Sequence, residues 1–216
     1  MPELSVIIPT PDADRSFAWE PKLRDSPVEA ELLVRDEGSA SAARNAGIRA
    51  ASADKLVFLD DDSVPRGNYF ERVAALLEDY PAVTGRIRDT GASYIRPVSS
   101  GDYDQGESGH VTETVVGCNM AMRREVVETI GGFDERLPYG HEETELVDRL
   151  CEQYDVWYCP DLVVDHPFAD SPFTSMPHFT PSLRTSISGM SSLWSSASSG
   201  LSGPRPRTSR LNWYLS

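Results

Sequence analysis

An α/β fold with a mostly parallel sheet flanked by helices is what this sequence predicts, on three observations. Short apolar runs alternate with amphipathic helical stretches through residues 1–170. One run, Leu56 to Leu59, drives straight into Asp60, Asp61 and Asp62, and ligands of open α/β sheets collect at the carboxyl ends of strands. The pattern stops after Asp170, beyond which there is no Asp or Glu.

The elements follow in order. Ser5 to Ile8 reads as a strand ended by Pro9, and Glu31 to Val34 as a second. Ser39 suits the N-cap of a helix that runs through Ala50. Leu56 to Leu59 is the third strand. A helix over 68–80 carries Phe70, Val73, Ala74, Leu77 and Tyr80 on one face and stops at Pro81. Val83 to Ile87 and Val111 to Ala121 read as extended. Arg123 to Ile130 is a short helix stopped by Gly131-Gly132. Glu143 to Tyr154 is a helix with Leu146, Val147, Leu150 and Tyr154 inward. Val156 to Cys159 and Leu162 to Val164 close the folded part as short strands.

At 216 residues the chain suits one domain with a sizeable core. Its net charge is −14, with only two lysines, Lys22 and Lys55, against eighteen arginines. That balance argues against nonspecific binding to nucleic acid or anionic membranes. It resembles proteins of salt-loving organisms, where salt screens self-repulsion. Cys118, Cys151 and Cys159 form no Cys-x-x-Cys pair and read as reduced core thiols. The first residues lack a signal-peptide pattern, and no apolar run approaches the roughly 18 residues that span a bilayer. A cytoplasmic location is expected.

The Asp cluster carries the chemistry. Alternation lets Asp60 and Asp62 point the same way as the strand ends. Two adjacent carboxylates repel, and a hard cation such as Mg2+ or Mn2+ resolves the repulsion while bridging to substrate phosphates. The alternative is a solvated acidic turn that caps the next helix.

Four segments form a set with this cluster: Ser5-Val-Ile-Ile-Pro-Thr10, Ala42-Ala-Arg-Asn-Ala-Gly-Ile48, Gly131-Gly-Phe-Asp-Glu135 leading to His141-Glu-Glu-Thr-Glu-Leu146, and Val164-Asp-His166. In this order, over roughly residues 4–168, they resemble the family 2 glycosyltransferases of GT-A fold. The resemblance implies transfer of a sugar from a nucleotide-diphosphate donor to a hydroxyl acceptor, with inversion. The acceptor would be a glycan, lipid-linked or polysaccharide chain, and the protein could work at the inner face of a membrane. Asp60-Asp61-Asp62 looks like the family's Asp-x-Asp motif: Asp62 on the metal, Asp60 nearer ribose and sugar, Asp61 beside them. His166 would face the metal or diphosphate. Glu143 falls where the family has its general base, with Glu142 as the other candidate; alternatively both complement a helix dipole. Arg44 would neutralise phosphate, or else be a surface helix arginine. Asn119 would face a sugar, or else bond within a buried turn. Pro9, Thr10 and Asp36 would line the nucleotide.

One departure stands out. The family places a further helix and strand between its Asp-Asp-Gly-Ser strand end and Ala-Arg-Asn. Here Glu31-Leu-Leu-Val-Arg-Asp-Glu-Gly-Ser39 runs almost directly into Ala43-Arg-Asn45, so the N-terminal half is shortened. A degenerate transferase that binds nucleotide sugar without turnover is therefore an alternative. More remotely, Asp60-x-Asp62-x-Val64 fits the first motif of haloacid-dehalogenase-like phosphatases, which also need a later lysine. The chain has none after Lys55.

Charge divides the chain. Residues 1–170 carry −18, whereas 171–216 carry +4 with fourteen serines and little periodicity. Such a segment buries too little apolar surface to fold and reads as a disordered tail. Deleting 171–216 is expected to leave the thermal transition of the remainder within a degree or so. A clear loss of stability would place the tail in the fold instead.

Overall fold

The computed structural model of the protein describes residues 1–90, 103–137 and 142–167. The tail assigned to 171–216 lies outside the described residues, as does His141. The elements belong to the compact unit of residues 1–170. In order they are β1 (Leu4–Pro9), α1 (Glu20–Arg24), β2 (Ala30–Arg35), α2 (Ala40–Ala50), β3 (Lys55–Phe58), β4 (Val64–Pro65), α3 (Tyr69–Asp79) and β5 (Ala82–Asp89). Then follow β6 (His110–Thr112), a 3₁₀ turn (Gly117–Asn119), β7 (Met120–Arg123), α4 (Arg124–Ile130), α5 (Glu142–Gln153) and β8 (Val156–His166).

The strands make one eight-stranded sheet in the order β2-β1-β3-β7-β5-β8-β4, with β6 also paired to β8. β1, β2, β3, β5 and β8 share one direction, and β4, β6 and β7 oppose it. The sheet is mixed and mostly parallel, as the alternation of strand and helix predicts. Among the described residues β2 is the outermost strand on its side, and residues 36–39 lead directly from it to α2.

Both faces of the sheet are covered, which is why its central strands read as continuous apolar runs. Leu4, Val6, Ile8, Val57 and Leu59 face a core completed by Trp19, Leu23, Tyr69, Phe70, Val73 and Leu77. Ile7, Leu56, Phe58, Met120 and Met122 face the opposite core, with Ile48, Val127, Ile130, Leu146 and Leu150. The period of two along β1 and β3 thus sorts side chains between two layers.

Local signals explain most helix ends. The Ser39 hydroxyl accepts from the Ala42 amide at 3.1 Å. Gly131 ends α4 in the left-handed region at φ 87°. Tyr80 sits one residue past α3 rather than on its buried face, and stacks on Trp157 with ring centroids 4.6 Å apart. Two elements that sequence reasoning passed over, α1 and the two-residue β4, have too few residues to show a period.

Two expectations are corrected. The stretch 111–121 is not one extended segment: the 3₁₀ turn separates β6 from β7, with the Asn119 amide donating to Val116 O at 3.0 Å. The two short strands at the end are one strand, β8, interrupted by a bulge. Two steps along β5, from Gly85 to Ile87, match five along β8, from Cys159 to Val164. The bulge needs Gly85, because a Cβ there would lie 2.0 Å from Leu162 O.

α2 also approaches β1 closely. A Cβ on Gly47 would lie 2.4 Å from Cγ2 of Ile7. Gly47→Ala is expected to lower stability by about 1–3 kcal/mol through overpacking, read as a lower denaturant midpoint. A midpoint at the wild-type value would mean that helix and strand sit further apart.

Candidate active site

β1, β2, β3 and β8 end on one edge of the sheet, because they share a direction. That edge gathers the polar side chains. β3 ends at Phe58, and residues 60–63 turn back on themselves. The Ser63 amide donates to Asp60 O at 3.0 Å, and the Asp60 amide donates to Ser63 Oγ at 3.2 Å. The Trp19 indole N–H donates to Ser63 O at 2.9 Å and fixes the turn from the core side.

The turn sends its three carboxylates to three places. Asp61 Oδ2 accepts from Thr10 Oγ1 at 2.7 Å and from Arg15 at 2.8 Å. Asp60 Oδ1 accepts from Arg44 at 2.8 Å. Asp62 Oδ1 lies 2.9 Å from His166 Nε2, with Asp60 Oδ2 at 3.6 Å from the same nitrogen. Asp60 and Asp62 therefore converge on His166 while Asp61 points away.

Arg44 is only 3% exposed. Besides Asp60 it bonds Glu142 Oε1 at 3.2 Å, and its guanidinium lies 5.3 Å from the Phe133 ring centroid. It is therefore an internal counter-ion, not a surface helix arginine. Burial works against its charge, but Asp60, Glu143 and Glu142 outweigh burial and hold its pKa above the ordinary value. Asn45, the next residue, ties α2 to the following loop: its amide donates to Phe133 O and its carbonyl accepts from Phe133 N, both at 2.9 Å.

Glu142 and Glu143 open α5 but differ in setting. Glu142 is buried against Arg44, whereas Glu143 is partly exposed. Burial and the neighbouring Glu142 charge raise the Glu143 pKa. Gly117 borders both groups; a Cβ there would meet Arg44 at 3.2 Å and Glu143 Cβ at 3.6 Å. Asp60 is held below its ordinary pKa: burial alone would raise it, but His166 and Arg44 prevail. His166 is pushed up to about 9, since burial is outweighed by Asp60 and Asp62.

The donor set suits a divalent cation. Asp60 and Asp62 both border the His166 ring nitrogen and keep side-chain exposures of 33% and 40%. Behind His166, Asp165 is buried between Arg66 at 2.7 Å and Arg88 at 2.6 Å, which anchors the end of β8.

The remaining expected residues divide. Pro9 and Thr10 end β1 beside Asp61, and Asp36 is exposed just past the end of β2. Asn119 does not reach the open side. It is fully buried; Tyr69 donates to its Oδ1 at 2.9 Å, and its Nδ2 donates to Leu162 O at 3.0 Å and Arg86 O at 3.2 Å. It staples the bulge of β8 to the 3₁₀ turn. Sequence reasoning missed Arg15, which sits in a polar run without period. It also missed the approach of Cys118, whose thiol comes from the turn before β7.

The description Glycosyl transferase family 2 matches residues 14–131 of the chain. Glycosyltransferase AglE of Haloferax volcanii is 28% identical, over 63% of this chain and 47% of that protein. The dTDP-rhamnosyl transferase RfbF of Shigella flexneri is 28% identical, over 74% of this chain and 59% of that protein. The chain thus spans about half the length of these relatives. GalNAc-T7, solved with UDP, GalNAc and Mn2+, superposes with a TM-score of 0.54 at 14% identity, over 78% of this chain and 44% of that one. A197 from STIV gives 0.54 at 18% identity, over 78% of this chain and 86% of that one. These two likenesses are of fold, which is GT-A-like.

Removing the Arg44 guanidinium would leave Asp60 and buried Glu142 facing each other. Arg44→Met is expected to cost about 3 kcal/mol, and adding Glu142→Gln should recover part of it. An unchanged midpoint in Arg44→Met would remove the guanidinium from the fold's supports.

Proposed function

The chain belongs to glycosyl transferase family 2, and on that premise we propose that it transfers a sugar, with inversion, from a nucleotide-diphosphate donor to a hydroxyl acceptor. The observation that carries this reading is the meeting of Asp60, Asp62 and His166 at the strand-end edge, with Glu143 across Arg44 from them. The named relatives support the reaction class.

Glu143 takes the acceptor's hydroxyl proton as its oxygen attacks the anomeric carbon from the side opposite the diphosphate. The bond from that carbon to the diphosphate oxygen breaks, and the nucleoside diphosphate leaves. The difference between the two glutamates supports this assignment: Glu142 is engaged by Arg44, and Glu143 is partly exposed with a raised pKa. Asp62, Asp60 and His166 would hold Mg2+ or Mn2+, which when bound offsets charge on the leaving diphosphate as a Lewis acid. The donor set supports that ligation, and the fold neighbour solved with UDP, GalNAc and Mn2+ agrees with it. Pro9, Thr10, Asp36 and Asp61 line the nucleotide side. Arg44 acts by holding Asp60 and Glu142 in place rather than by meeting phosphate.

The acceptor is a glycan or a lipid-linked saccharide, reached from solution or at a membrane face. Among the described residues no helix is long and apolar enough to cross a membrane. A halophilic source is supported by the acidic composition and by the Haloferax relative.

A donor screen tests the reaction. Nucleotide sugars are offered with Mn2+ or Mg2+ in high salt, with and without lipid-phosphate acceptors, and nucleoside-diphosphate release is followed. Glu143→Gln is expected to lower turnover roughly 10²–10⁴-fold with donor binding retained. A larger loss from Glu142→Gln would move the base by one residue. Because the base works deprotonated, activity should rise with pH, and its acid limb should lie above that of an ordinary glutamate.

Metal use has its own test. Asp62→Ala should abolish the Mn2+-dependent part of nucleoside-diphosphate binding, measured calorimetrically with and without chelator. Equal affinity in all four conditions would remove Asp62 from the site.

A further inference from the structure

Beside the carboxylates and His166 lies a thiol. Cys118 is fully buried on the 3₁₀ turn. Its ligand atom, one from Asp60 and one from His166 lie within 4.8 Å of one another. A cation among three such atoms needs distances of about 2.0–2.3 Å, so a small contraction brings all three into one shell. Neighbouring bonds hold the thiol's backbone. Ser63 Oγ donates to Cys118 O at 3.3 Å and joins the 3₁₀ turn to the Asp turn. Asn119, the next residue, is bonded to Leu162, Arg86 and Tyr69. Cys118 is thus held buried beside Asp60 and His166.

We propose that Asp60, Cys118 and His166 form a mixed carboxylate, thiolate and imidazole site that captures a thiophilic divalent cation, such as Zn2+ or Cd2+, without nucleotide. The proposal rests on the metal-dependent reading above and deepens it. Hard Mg2+ takes oxygen ligands and depends on phosphate to complete its shell. A softer ion gains a sulfur ligand that magnesium does not use, and needs no phosphate for affinity. As the ion enters, the Cys118 thiol and the His166 imidazolium each release a proton to solvent, and the cation gives up a bound water for each ligand it gains. The result is a site whose ion decides its state: a hard ion binds with the donor, and a soft ion binds first and stays.

The test uses the full chain without nucleotide, titrated with Cd2+ and followed by the thiolate-to-metal charge-transfer absorption in the near ultraviolet. The band is expected in the wild type and in a Cys151→Ser/Cys159→Ser double variant, which assigns it to Cys118 without altering the site. It should vanish in Cys118→Ser and Cys118→Ala, with Cd2+ affinity lowered at least roughly 10–100-fold, the loss typical even of an outer-shell change. His166→Gln should weaken the band's titration without moving it. No band in the wild type, or a band lost in the double variant, overturns the proposal. Mn2+-dependent nucleoside-diphosphate binding by the wild type is measured beside it. Its presence without the band leaves the transferase reading standing and removes Cys118; the absence of both removes both.

Discussion

The buried guanidinium of Arg44 is the interaction on which the site depends. A charge at 3% exposure is costly unless it is paired and hydrogen-bonded. Arg44 is paired twice, with Asp60 from the β3 end and Glu142 from the start of α5. One side chain thereby fixes the distance between a strand end and a helix end that lie far apart in sequence. Its planar fork presents two nitrogens, one to each carboxylate, where a lysine would offer one compact ammonium. The pairing also separates two adjacent glutamates that look equivalent in sequence. Glu142 is held by the cation, and Glu143 is left partly exposed beside its neighbour's charge, the condition that raises its pKa.

The second constraint is the bulge of β8. Three surplus residues relative to β5 are an odd number, so the bulge changes which face the following side chains present. His166 then reaches Asp60 and Asp62, while Asp165 reaches Arg66 and Arg88. Gly85 makes room for Leu162 O, and Asn119 donates to that same oxygen. The polar groups opened by the bulge are satisfied from the neighbouring turn. Asn119 thus serves the site at one remove, through the strand that delivers His166.

Much of this was legible in the sequence, for identifiable reasons. β1 and β3 are apolar runs with both faces buried, and α2 announces itself through Ser39. The Asp cluster marks a strand end, and parallel topology puts every such end on one edge. What escaped depends on long-range geometry. Asn119 carried two readings, a sugar contact or a bond within a buried turn, and nothing local decides between them, since Tyr69 and Leu162 reach it from far along the chain. Arg44 offered two readings, phosphate binding or a surface position, and neither anticipated two internal carboxylates. The bulge was read as a gap between strands, because Pro160 and Asp161 break the apolar run without ending the strand. Cys118 gave no metal signal, since a thiol paired with a distant Asp and His has no spacing to recognise.

On the proposed reading, an acidic chain that binds an anionic donor faces an electrostatic conflict. Residues 1–170 carry −18, and the site itself holds Asp60, Asp61, Asp62, Glu142 and Glu143. The nearby cationic groups are already engaged: Arg15 by Asp61, Arg44 by Asp60 and Glu142, and His166 by Asp60 and Asp62. A nucleoside diphosphate arriving here meets net repulsion unless two conditions change. Salt must shorten the reach of the overall field, to about 3 Å at 1 M against about 10 Å at 0.1 M. On the proposed reading, a cation held by Asp60, Asp62 and a neutral His166 would then bring its own positive charge to the phosphates. Screening weakens distant repulsion far more than contact pairs a few ångströms apart. High salt and a bound divalent ion therefore act on different parts of the same problem, the first on approach and the second on capture.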